Sequence, residues 1–294
     1  MSLKESIPYN STNASVFLEV LAKNSDLVKN EIKDLLENFC EDNIKKAAKF
    51  SCLETSGKKI RPFLFIETLK LLRVPIEPFL PVAAAIEICH VYSLIHDDLP
   101  SMDNDDFRRG LPSCHKKFNE ATALLTGDAL LTYSFEIMSS NQTIPAEKKC
   151  KLITEFAKAV GASGMVGGQA LDMELKNAEI SKDTLITLHR LKTGKLIEFS
   201  CMAASIIGNA TSEEETSIKN FAINFGLLFQ ITDDILDYNE KKSLECNVVS
   251  TFGILETKEF LEKTVNKAIL SLEIFGDKAN ILKSLVEFTL NRKN

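Results

Sequence analysis

Apolar residues recur at spacings of three and four along most of this chain, through 14–38, 61–73, 78–98, 119–139, 146–162, 181–207, 214–238 and 255–290. That period places them on one side of a 3.6-residue turn, so each stretch reads as an amphipathic or buried helix. The alternation of a half-buried strand is scarce. The breaks carry turn chemistry: Pro75 with Pro78, Gly110-Leu111-Pro112, Ser139-Ser140-Asn141, and Gly161 to Gly168. With no linker, low-complexity run or sustained heptad, the pattern predicts one compact all-α domain over 1–294.

Two helices break their own pattern. The segment Ile86–Asp98, IEICHVYSLIHDD, is apolar enough to be buried, yet Glu87, His90, Ser93 and Asp97 fall on one face. A polar stripe on a buried helix must face a satisfied network or a cavity. The stripe ends in five aspartates within ten residues, Asp97, Asp98, Asp103, Asp105 and Asp106, followed at once by Arg108 and Arg109. Carboxylates so crowded resist ionisation unless cations lie near. A solvated acidic loop is the plainer alternative, but this loop grows directly from an apolar helix. In Phe221–Tyr238, FAINFGLLFQITDDILDY, the residues Gly226, Gln230, Asp233 and Asp237 share a face, and Asp234 lies about 100° round the helix. Carboxylate oxygens without His or Cys suit a hard cation such as Mg²⁺, which takes one or two protein carboxylates and fills its shell with water and phosphate oxygens.

Composition narrows the chemistry. The 294 residues are 45% hydrophobic and 26% charged, as expected of a globular protein, and the net charge of -6 offers no global field for nucleic acid or an anionic membrane. A phosphorylated substrate therefore needs local cations. Candidates are Ser56-Gly57-Lys58-Lys59-Ile60-Arg61-Pro62 and Lys192-Thr193-Gly194-Lys195, each of which could equally be a solvated basic loop. Gly167-Gly168-Gln169-Ala170-Leu171-Asp172 starts a third polar patch, readable also as a helix cap or a close helix crossing. The seven cysteines are odd in number with no CxxC pair, and the four histidines lack zinc-ligand spacing, which argues against a zinc site or disulfide framework. With no apolar leader in MSLKESIPYNSTN, a cytoplasmic protein is expected. P-loop, GxGxxG and GxSxG motifs are absent.

Taken together, SGKKIRP, EICHVYSLIHDDLPSMDNDDFRRG, NEATALLTGDAL, GGQALD, KTGKL and FQITDDILD, in that order, resemble the short-chain trans-prenyl diphosphate synthases, most of all bacterial farnesyl diphosphate synthases. The resemblance implies an isoprenoid-synthase-like helical bundle around a deep central cavity, working as a homodimer. It implies condensation of isopentenyl diphosphate with dimethylallyl or geranyl diphosphate, using Mg²⁺ to help the allylic diphosphate ionise, with farnesyl diphosphate as product. Position by position, it assigns Asp97, Asp98, Asp103, Asp233 and Asp237 to metal. Arg108 goes to the allylic diphosphate, and Lys58, Arg61, His90 and Arg109 to isopentenyl diphosphate. Lys192, Thr193 and Gln230 line the reacting centre, with Gln169 beside them.

Tyr92 takes the place of the family's bulky pocket floor. Ser93 lies one turn before Asp97, about 6 Å deeper. An aromatic floor, like the Leu99-Pro100 insertion, favours the fifteen-carbon product. Geranyl or geranylgeranyl diphosphate synthesis, a catalytically weak partner subunit, and a terpene cyclase are the alternatives. Lys58, Arg61 and Arg109 argue against the cyclase, which has no second diphosphate to hold. The chain departs from the family pattern at Ser56, where a glycine is usual, and in Tyr238–Asn247, a short stretch with Lys241 and Lys242 at unmatched spacing.

Overall fold

A computed structural model describes residues 11–39, 42–55, 57–176, 178–238 and 247–292. The helices are α1 Ser11–Glu37, α2 Asp42–Lys49, α3 Ile60–Leu71, α4 Leu80–Asp97, α5 Cys114–Lys117, α6 Glu120–Ser140, α7 Ala146–Val160, α8 Met165–Leu175, α9 Lys182–His189, α10 Lys195–Gly208, α11 Ser212–Asp237, α12 Val248–Phe252, α13 Ile254–Leu270 and α14 Asn280–Asn291. The expected all-α class holds. Ser56, Lys241 and Lys242 lie outside the described residues.

The chain's contacts divide it into two compact units, one of residues 20–66 and 74–153, the other of 1–19, 67–73 and 154–294. In the first unit α4 packs along α6, and α2 also packs on α6. Helix α4 is nearly all core: Val82, Ala83, Ala84, Ala85, Ile86 and Ile88 are fully buried. Each large aliphatic removed from water contributes about 1.5–3 kcal/mol. By length and apolarity Glu77–Asp97 could cross a bilayer, but 67% of it is buried inside the protein, as befits a core helix.

The same unit holds a feature the apolar pattern missed. Phe107–Arg108 and Leu111–Pro112 form a two-stranded antiparallel hairpin, β1 and β2, with Phe107 opposite Pro112 and Arg108 opposite Leu111. Its two turn residues, Arg109 and Gly110, both have positive φ (53° and 79°). Such a turn follows the right-handed strand twist, so a two-residue loop can reverse the chain.

In the second unit α11 packs against α10, α13 and α14. It starts with a capping box: the Thr211 hydroxyl accepts from Glu214 N–H, and the Glu214 carboxylate accepts from Thr211 N–H. The helical run expected over 181–207 is three pieces, α9, a π-helical turn Arg190–Gly194, and α10, with the irregularity at the Lys192-Thr193-Gly194 segment. Two glycines explain the irregularity. A Cβ on Gly168 would lie 2.2 Å from the Lys192 nitrogen, and one on Gly226 would lie 3.1 Å from the Gly194 Cα. Both α8 and α11 thus press backbone to backbone on this turn. The expected helix over 255–290 also breaks, at Gly276 (φ 55°), between α13 and α14.

Candidate active site

The first aspartate cluster sits where α4 ends. Asp98 N–H closes the last turn on Leu94 O at 3.1 Å, and Asp103 N–H returns to Asp97 O at 2.9 Å. Asn104, at φ 54°, donates to Leu99 O at 3.1 Å. The backbone therefore winds the aspartates into a compact knuckle. Asp97 is half-buried, Asp98 buried and Asp103 exposed.

The hairpin brings Arg108 back onto Asp98. Arg108 Nε donates to Asp98 Oδ1 at 3.0 Å and Oδ2 at 3.3 Å, and Nη2 donates to Asp98 Oδ1 as well. Nη2 also reaches Asp105 Oδ2 at 3.2 Å. Burial raises the Asp98 carboxyl above its usual range, and the guanidinium opposes that shift. For Arg108, burial works to lower the pKa, but Asp98 and Asp105 outweigh it and hold the group charged. Arg109 turns the other way. Its Nη1 donates to Thr55 O at 2.8 Å, and its guanidinium lies so close to Gly57 that a Cβ there would approach within 2.6 Å. A side chain at Gly57 would therefore push the Arg109 guanidinium aside.

Sequence reasoning chose Lys58 and Arg61 from that loop and passed over Lys59. Lys58 is exposed and Arg61 half-buried, whereas Lys59 is buried, at φ 52°. Its ammonium has the buried Glu87 carboxylate at 3.9 Å and no hydrogen-bond partner among the described residues. Burial lowers its pKa, and Glu87 works against that. His90 lies among these groups. Burial first, then Arg61, Arg109, Arg108 and Lys59, hold its pKa well below the ordinary histidine value, so the ring is neutral at pH 7. Two residues on, Tyr92 is buried and its hydroxyl has no hydrogen-bond partner among the described residues, while Ser93 Oγ donates to His90 O at 2.8 Å.

The second unit gathers the remaining candidates. Lys192 and Thr193 sit on the π-helical turn, and Lys192 Nζ donates to Asp172 Oδ2 of α8 at 2.6 Å. Gln169 lies one turn earlier on α8, and Gln230 one turn before Asp233 and Asp234 on α11; both glutamines are half-buried. Asp233 and Asp237 are at i and i+4, half-buried and exposed respectively. Arg292, just past α14, holds Asp233: Nη2 reaches Asp233 Oδ1 at 2.6 Å, Phe229 O at 2.9 Å and Thr232 Oγ1 at 2.8 Å. Its guanidinium carbon lies 4.3 Å over the Phe229 ring. Burial lowers the Arg292 pKa, and Asp233 opposes this.

No group of three His, Cys, Asp or Glu side chains converges on one point among the described residues. A cavity of about 230 Å³ beside α10 is lined by Glu155, Lys158, Lys195 and Glu198. Those charges pair with each other, Lys158 with Glu155 at 2.8 Å and Lys195 with Glu198 at 2.9 Å, so it offers little to a diphosphate.

A fold of packed helices, with an oxygen-only acidic knuckle beside clustered arginines and lysines, suits an enzyme class that handles polyanions. The family model described as polyprenyl synthetase matches residues 41–247, and the chain belongs to that family. A farnesyl diphosphate synthase of Geobacillus stearothermophilus is 49% identical over 196 residues, 66% of this chain and 66% of that protein. One of Bacillus subtilis (strain 168) is 41% identical over 220 residues, 74% of each. Among solved structures, a geranyltransferase from Legionella pneumophila superposes with a TM-score of 0.89 at 34% identity, covering 96% of this chain and 99% of that one.

Proposed function

We propose that the chain acts as a single polyprenyl synthetase domain over residues 1–294 that condenses isopentenyl diphosphate with dimethylallyl and then geranyl diphosphate to give farnesyl diphosphate. The observation that carries this reading is the group Lys59, Arg61, Arg108 and Arg109 around a neutral His90, with Glu87 and Asp98 as its buried carboxylates. So many cations in and around a buried site suit a polyanion that arrives from solution. The relatives' descriptions support the choice of diphosphates.

In the reaction, the bond from the allylic carbon to diphosphate breaks, and the double bond of isopentenyl diphosphate supplies the electrons for the new carbon–carbon bond. A proton then leaves to the released diphosphate. Bound Mg²⁺ would supply Lewis-acid neutralisation of the leaving diphosphate. Asp97, Asp98, Asp103, Asp233 and Asp237 would hold it. Arg108 grips the allylic diphosphate. Lys58, Lys59, Arg61, His90 and Arg109 grip isopentenyl diphosphate, His90 as a neutral hydrogen-bond donor. Lys192, Thr193, Gln230 and Gln169 present a cation and polar oxygens near the reacting carbon. Tyr92 closes the pocket floor against a longer chain. A homodimer in the cytoplasm completes the reading. The solvent-facing Leu124 and Leu125 of α6 support the dimer.

The test is incubation with Mg²⁺, dimethylallyl diphosphate and labelled isopentenyl diphosphate, with chromatography of the products. Fifteen-carbon alcohol after dephosphorylation is expected, and Tyr92→Ala shifts the product to longer chains. A folded sample that forms no condensation product overturns the reading, and a ten- or twenty-carbon product overturns the role of Tyr92.

A further inference from the structure

Asp234 is the aspartate of the second cluster that faces away from Asp233. Its side chain is 11% exposed, against 36% for Asp233. Three groups from distant parts of the chain meet it. Oδ2 accepts from Val248 N–H at 2.7 Å, and the same oxygen lies 3.1 Å from His189 Nε2. Facing a carboxylate, that ring nitrogen carries the proton. The Asp234 backbone carbonyl accepts from Asn247 Nδ2 at 2.7 Å, while Asn247 Oδ1 caps α12 by accepting from Val249 N–H at 2.8 Å. His189, Val248 and Val249 are all buried.

The positions of these partners matter more than their number. His189 is the last residue of α9, directly before the π-helical turn that carries Lys192 and Thr193. Asn247 and Val248 are where the described chain resumes after Tyr238. One buried carboxylate therefore joins the helix of the second aspartate cluster, the base of the Lys192 turn, and the return of the chain into α12.

We propose that Asp234 is a positioning residue rather than a metal ligand: through His189 and Val248 it fixes Asp233 and Asp237 against Lys192 and Thr193. This rests on the function proposed above. A ligand works by charge, whereas a strut works by where its acceptor oxygen sits. Asp234→Asn keeps an oxygen at the Oδ2 position and removes the charge; Asp234→Ala removes both.

The experiment compares Asp234→Asn, Asp234→Ala, His189→Ala and Asp233→Asn for kcat, for the Mg²⁺ concentration giving half-maximal rate, and for amide exchange at Val248. Asp234→Asn should keep kcat within about threefold and leave the Mg²⁺ requirement unchanged, while Asp233→Asn raises it. Asp234→Ala should lose at least about tenfold in kcat and speed Val248 exchange by at least about tenfold. Adding His189→Ala to Asp234→Ala should cost little more, because the two share one bond. The proposal is overturned if Asp234→Asn loses as much as Asp234→Ala, if it shifts the Mg²⁺ requirement as Asp233→Asn does, or if Val248 exchange is unchanged in Asp234→Ala. Should Asp234→Ala fail to fold, Asp234→Asn and His189→Ala decide by the same readouts. An inactive wild-type enzyme would refute the functional reading instead, and Val248 exchange would still judge the strut.

Discussion

The two aspartate clusters are built in different ways. In the first, the arginine that holds Asp98 lies ten residues further on, on the first strand of the hairpin that follows the knuckle. In the second, Asp233 is held by Arg292, beyond the last helix, and Asp234 by His189 and Val248. A local partner is present whenever the knuckle folds. Remote partners exist only when α9, α11, α12 and α14 are all packed. The second cluster is thus the one whose geometry can report the state of the rest of its unit, and substitutions at its partners should separate binding from folding more cleanly.

The sharpest way to break the local partnership is Arg108→Gln. Asp98 is 3% exposed and Arg108 28%. Losing the cation leaves a buried carboxylate with its main charge partner gone, at a cost of about 3 kcal/mol. Chemical denaturation should show the unfolding free energy fall by that amount, as a lower midpoint with an unchanged slope. Turnover should fall as well, because the same guanidinium is assigned to the allylic diphosphate. Loss of turnover without loss of stability would mean that the pair is dispensable to the knuckle.

Arg292→Gln should cost less, about 1–2 kcal/mol: the ion pair, the bonds to Phe229 O and Thr232 Oγ1 and the aromatic contact are lost, but Asp233 keeps partial access to water. Its effect on metal should have the opposite sign. Arg292 and Mg²⁺ compete for the same oxygens of Asp233, so removing the arginine should lower the Mg²⁺ concentration for half-maximal rate. Titration of rate against Mg²⁺ checks this, and a raised requirement would show that Arg292 shapes the ligand rather than competing for it.

What the sequence disclosed follows the same division. The helices were legible because apolar residues at three- and four-residue spacing dictate them, and the first cluster's arginines were legible because they stand beside it. The rotation of Asp234 away from Asp233 was also legible, since neighbouring residues on a helix point about 100° apart. Its partners were not, because nothing near 234 mentions 189 or 248. The π-helical turn depends on Gly168 and Gly226, each far from it in sequence. Lys59 was hidden for another reason. It and Lys58 look alike in the sequence, and only the left-handed backbone and the buried Glu87 decide which of them turns inward.

His90 gives the smallest effect and tests the local side of the comparison by pH. Its folded pKa is depressed by burial and by Arg61, Arg109, Arg108 and Lys59. In the unfolded chain the ring takes up a proton near its ordinary pKa of about 6.5; in the folded protein it does so only at much lower pH. Below about 6.5 the unfolded state thus binds more protons, and the stability present at higher pH is lost as pH falls. Wild type and His90→Asn should therefore converge in unfolding free energy as pH is lowered from 7.5 to 5.5. Parallel curves would mean that His90 takes up its proton in the folded protein as readily as in the unfolded chain, and that the surrounding arginines do not form the cationic site proposed for the diphosphate.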